Sequence, residues 1–110
     1  MELEVNGRTV LTDAEGYLAN LEDWSEDLAV LIAGRESLEM TDDRWEIVNF
    51  LRRGYEETGV VPNIRQLQKL LANEYGPEKA DKAYLYDLFP YGPAKQACRI
   101  AGLPKPTGCV

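Results

Sequence analysis

Two side chains in this sequence offer a sulfur nucleophile, and both lie near its C-terminal end. Cys98 sits in PAKQACRIAG, and Cys109 is the penultimate residue, in LPKPTGCV. A thiolate is the reactive form of cysteine, and it exchanges readily with other sulfur atoms. The 110 residues contain no histidine. The commonest general base and the commonest nitrogen metal ligand are therefore missing, and Ser–His or Cys–His catalysis is excluded within the chain. Two cysteines without CxxC spacing also make a poor zinc site. Whatever the cysteines do, imidazole does not help them from inside the chain.

The surroundings of the two cysteines differ. Ala94, Ala97, Cys98 and Ala101 recur at i, i+3, i+4 and i+7, which is one small-residue face of a helix. That face reads either as a dock onto which the tail folds back or as a buried alanine seam with Cys98 as a small hydrophobe. Cys109 follows Pro104, Pro106 and Gly108. The prolines favour an extended arm that loses little entropy on entering a slot. From Gly102 to Cys109 such an arm reaches about 23 Å at ~3.3 Å per residue. The cysteines are eleven positions apart, so a closed arm would let their Cα atoms reach the ~4.4–6.8 Å of a disulfide. Lys95, Arg99 and Lys105 gather around them in an otherwise acidic chain. They read as thiolate-supporting charge or as solvated surface.

The rest of the chain must position this end. The net charge is −7 and the pI about 4.6, which opposes binding a phosphate backbone and favours a partner with a basic docking surface. No segment approaches the ~20 apolar residues of a membrane span, and MELEVNGRTV lacks the charge-then-apolar order of a signal peptide. The expected location is cytoplasmic, where thiols are kept reduced.

Asn6-Gly7 between Leu3, Val5 and Val10 predicts a type I′ hairpin. Helical periodicity follows through Leu21, Trp24, Leu28, Leu31 and Ile32, with Gly34 as a stop. Thr41 caps a second helix carrying Trp45, Val48, Leu51 and Tyr55, with Ile47 and Phe50 alongside, which Gly59 ends. A third helix runs from Pro62 with Ile64, Leu67, Leu70 and Leu71 inward, and a fourth from Pro77 to about Phe89. After the PYGP turn, a short fifth helix closes at Gly102. Residues 1–102 thus form one helical domain, and 103–110 a mobile C-terminal arm. Trp24, Trp45, Tyr84, Tyr86 and Phe89 read as core or docking residues. Tyr91, between two prolines, is the aromatic best placed to touch a partner.

The stretch YLYDLFPYGPAKQACRIAGLPKPTGCV resembles the C-terminal signature of the DsrC/TusE sulfur-relay family, and the likeness extends through EGYL and TDDRWEIVNFLRRGYEETGVVPNIRQL. The resemblance implies a mainly α fold. It comprises an N-terminal β-hairpin, about five short helices in an orthogonal bundle with a helix-turn-helix-like core, and a flexible C-terminal arm. It implies a sulfur carrier, a protein co-substrate rather than a stand-alone enzyme, in which Cys109 receives sulfur as a persulfide. The upstream cysteine, here Cys98, is what separates DsrC proper from TusE-like relatives, and it implies a disulfide or trisulfide with Cys109.

The partners this implies are the α and β subunits of a sulfite reductase, a DsrEFH-type sulfur donor and a membrane-bound trisulfide-reducing complex. Siroheme would belong to the reductase, and the chain itself would bind no cofactor. The dissimilatory sulfite reductase pathway is the main reading on this basis. A TusE-like persulfide relay toward tRNA thiolation is its alternative. A redox-switched DNA-binding regulator, with Arg52, Arg53, Arg65 and Lys69 as phosphate contacts, is a third reading, which the acidic charge opposes.

Overall fold

The computed structural model describes residues 1–106, and Cys109 with the rest of 107–110 lies outside the described residues. Strands β1 (Glu2–Val5) and β2 (Arg8–Leu11) pair antiparallel, with Val5 opposite Arg8 and Leu3 opposite Val10. The two-residue turn has positive φ at both Asn6 (51°) and Gly7 (77°), the type I′ geometry that matches strand twist. Leu3 and Val10 face the core together.

Six α-helices follow among the described residues: α1 (Glu26–Arg35), α2 (Asp42–Thr58), α3 (Ile64–Tyr75), α4 (Pro77–Ala80), α5 (Lys82–Leu88) and α6 (Pro93–Ile100). Local chemistry sets most boundaries. Ser25, Thr41 and Asn63 each accept a bond from a first-turn amide, and Gln66 returns one to the Asn63 amide to complete a capping box. Gly59 ends α2 as expected.

Three expectations need correction. The first helix does not begin at Leu21. Leu21–Asp23 is a separate 3-10 turn, because the Ser25 hydroxyl, accepting from the Leu28 amide at 3.1 Å, restarts the chain as α1. The predicted fourth helix is two. Asp81 takes an extended ψ of 131° and its carboxylate caps the Tyr84 amide at 3.1 Å, so α4 stops and α5 starts there. Leu70, expected inward, is 47% exposed, while Leu67 and Leu71 carry the core face of α3.

The short helix α6 is the hub. It packs against α1, α2, α3 and α5, and six of its eight residues are buried. Beyond it, Leu103 and Pro106 are buried as well, so the described part of the arm lies against the body. No helix among the described residues is long and apolar enough to cross a membrane.

Candidate functional site

Ala94, Ala97, Cys98 and Ala101 are all fully buried, and α1, which packs on α6, contributes the equally buried Ala29 and Ala33. Small side chains on two helices permit close approach of their backbones. Among the described residues this face is therefore covered rather than open.

Cys98 shares that environment. It is 0% exposed and forms no disulfide among the described residues. Burial pushes its thiol up to about 12, against a smaller opposing effect of the Arg99 charge. A thiol held neutral in this way is a weak nucleophile.

One consequence is a specific alkaline sensitivity. Below about pH 9 the Cys98 thiol is protonated whether the chain is folded or not, and its contribution to stability is fully present. Between about pH 9 and 12 the unfolded chain releases the proton that the folded protein keeps, so stability falls as pH rises. The slope is at most about 1.4 kcal/mol per pH unit. Urea melts of wild type and Cys98→Ala at several alkaline pH values should show the stability gap between them shrinking as pH rises. A gap that stays constant would mean the thiol does not titrate this way.

Two of the three basic residues near the cysteines are paired with carboxylates. Arg99 is clasped by Glu36, its Nη2 donating to Oε1 at 2.7 Å and its Nε to Oε2 at 3.1 Å. Lys105 donates to both carboxylate oxygens of Glu15, at 2.8 and 3.1 Å. Lys95 makes no ion pair among the described residues, and its carbonyl accepts the Tyr17 hydroxyl at 3.4 Å. Two of the three charges are thus neutralised in place. Tyr91 is 64% exposed, as its place in the PYGP turn predicts, and its amide donates to Gln96 Oε1 at 3.0 Å. Gln96, fully buried, then donates from Nε2 to Glu36 Oε1 at 3.0 Å. Glu36 therefore joins the exposed turn, the buried glutamine and Arg99 into one network.

Two residues that the sequence reading assigned no part at this site hold the end of α6. Trp24 Nε1 donates to the Ile100 carbonyl at 2.9 Å, and Arg52 Nη1 to the Ala101 carbonyl at 2.7 Å. The Arg52 guanidinium stacks 3.7 Å from the centre of the Trp24 ring. Arg52, a candidate phosphate contact from its charge, is engaged in this cap instead. Arg53 bonds the Tyr75 hydroxyl at 3.2 Å, and Arg65 and Lys69 stay exposed on α3. No group of three or more His, Cys, Asp or Glu residues suited to a metal ion occurs among the described residues.

Comparison with known proteins agrees with this architecture. The family model "DsrC like protein" matches residues 4–110. The chain is 53% identical over 108 residues to Sulfurtransferase TusE of Yersinia pestis, covering 98% of this chain and 99% of that protein. The solution structure of Allochromatium vinosum DsrC is 53% identical with a TM-score of 0.90, both chains being fully covered. The oxidized gamma-subunit of the dissimilatory sulfite reductase (DsrC) from Archaeoglobus fulgidus, also fully covered along with this chain, is 42% identical with a TM-score of 0.82. From end to end, in sequence and in fold, this chain belongs to the DsrC-like family of sulfur-relay proteins.

Proposed function

We propose that this protein is a persulfide carrier of the TusE kind, a sulfurtransferase that takes sulfur on Cys109 and passes it toward tRNA thiolation. The observation that carries this reading is the burial of Cys98, whose thiol is pushed up to about 12. A simple relay needs one acceptor cysteine, and burial withholds the other. The near full-length matches to proteins named Sulfurtransferase TusE support the same choice over the sulfite reductase pathway.

The chemistry balances without an oxidant. The Cys109 thiolate attacks the outer sulfur of a donor persulfide, the donor's sulfur–sulfur bond breaks, and the donor leaves as a thiolate. Cys109 then carries the persulfide. The described base of the arm, with Pro104 and Pro106, suits delivery of that sulfur into a partner's site at low entropic cost.

A second reading is favoured by the presence of Cys98 itself and by the 53% identity to a DsrC. There the arm would meet a sulfite reductase α/β partner at its siroheme, and Cys98 would close on the Cys109 persulfide as a trisulfide. That closure removes two protons and two electrons and so needs an acceptor. A DsrEFH-type donor and a membrane-bound trisulfide-reducing complex belong to this second reading.

Intact mass spectrometry after incubation with a persulfide-loaded donor protein decides between them. Wild type and Cys98→Ala should each gain one sulfur atom, and Cys109→Ala none. A gain that is two hydrogens short and requires both cysteines would move the protein to the second reading. No adduct on wild type would overturn the carrier assignment.

A further inference from the structure

We infer that a cavity beside the base of the arm is the surface on which the sulfur donor protein docks, and that it receives a donor segment presenting an apolar side chain next to a carboxylate. The inference rests on the carrier reading and adds to it the place and the chemistry of the partner's contact.

The cavity, of about 340 Å³, opens between the hairpin, the turn at 13–17, the end of α1 and the PYGP turn. Its floor is apolar, made by the buried Leu3 and Ile32. Its rim carries Met1 and Tyr91, both more than half exposed. Exposed apolar side chains grouped at a cavity mark a contact surface, and tyrosine and methionine are enriched where proteins meet. The walls are held in place without a partner. The Met1 amino group and carbonyl bond Thr12 at 3.0 and 2.8 Å. Asp13 Oδ1 accepts from the Glu15 and Tyr17 amides at 2.9 and 3.0 Å. The Tyr91 amide is fixed by Gln96. A preformed surface loses little freedom on binding.

Charge selects the occupant. Glu15, Arg35, Glu36 and Arg99 line the cavity. Glu36 is paired with Arg99, and Glu15 with Lys105. Arg35 has no ion pair among the described residues, so it is the uncompensated charge of the cavity. Its sign is opposite to that of the whole chain, whose net charge of −7 favours a basic partner. At this cavity a carboxylate is attracted and a lysine repelled. The location suits the reaction as well. Glu15 both lines the cavity and holds Lys105 in the described base of the arm, and Lys105 precedes Cys109 by four positions.

The test follows loading of Cys109 by intact mass spectrometry against the concentration of a persulfide-loaded donor protein. Arg35→Glu and Tyr91→Ala should each raise the donor concentration for half-maximal rate about tenfold, with the maximal rate kept. Val60→Ala removes an equally exposed apolar side chain that does not line this cavity, and it should match wild type. Glutathione persulfide, which has no docking segment, should load all four proteins alike. The three substituted side chains are exposed, so the variants keep the fold. Half-saturation unchanged in either Arg35→Glu or Tyr91→Ala, or the same rise in Val60→Ala, would overturn the surface. So would tighter docking of Arg35→Glu, which means a basic donor segment, or an equal slowing with glutathione persulfide, which means a damaged acceptor. If neither donor loads wild type, the carrier reading falls, and an NMR titration of labelled wild type with the unloaded donor protein still decides the surface. Saturable shifts centred on the Arg35 and Tyr91 amides support it, and shifts elsewhere or none overturn it.

Discussion

Gly102→Ala should be among the most damaging single substitutions in the protein, with a loss of about 3 kcal/mol or more in urea melts. Two costs add. Gly102 has φ +69°, a left-handed conformation that strains any residue with a Cβ. The new Cβ would also lie 2.3 Å from Trp24 Cδ1 and 2.8 Å from Cγ, so the indole must move. Displacing it breaks the bond to the Ile100 carbonyl and the stack with Arg52. Gly54→Ala is the matched contrast. It lies inside α2, and nothing stands within 4 Å of the Cβ it would acquire. Alanine there should stabilise by about 0.5–1 kcal/mol through helix propensity. Equal effects at the two positions would mean that Trp24 yields freely.

The second large effect is expected at Glu36. Glu36→Ala removes the partner of Arg99, and the two side chains are only 20% and 16% exposed. It also takes the acceptor from Gln96 Nε2, a fully buried donor. Breaking a fully buried pair costs about 3–5 kcal/mol, and the residual exposure here reduces that to about 2–3. Glu36→Gln keeps an acceptor oxygen and should cost about half as much. The network also reaches the surface, because Gln96 Oε1 holds the Tyr91 amide. Hydrogen exchange at Tyr91 should therefore accelerate in Glu36→Ala while amides of the hairpin keep their protection. An unchanged Tyr91 amide would show that the PYGP turn stands without this network.

The hairpin, the capping residues and the helix faces were legible because each is decided by near neighbours. Asn6-Gly7 fixes its own turn, and Thr41 and Asn63 bond amides three residues away. Asp81 is the exception, for the same kind of reason. Its neighbours PEKA and KAYLYDL both favour helix, and only the competing cap at the Tyr84 amide divides them. Leu70 fits the apolar spacing of α3, yet it stays 47% exposed where Leu67 and Leu71 are covered.

By itself the sequence determined the elements, the chemistry available and the family: a histidine-free chain with two cysteines at its C-terminal end. What each charge does was settled only by tertiary structure. Arg99 meets Glu36 from 63 positions away, Trp24 reaches Ile100 across 76, and Arg52 reaches Ala101 across 49. No local spacing encodes such pairs, because they exist only once α1, α2 and the 3-10 turn have closed around α6. The burial that separates Cys98 from an ordinary reactive thiol has the same origin. The desolvation of a side chain is a property of everything packed around it, and not of its neighbours in the chain.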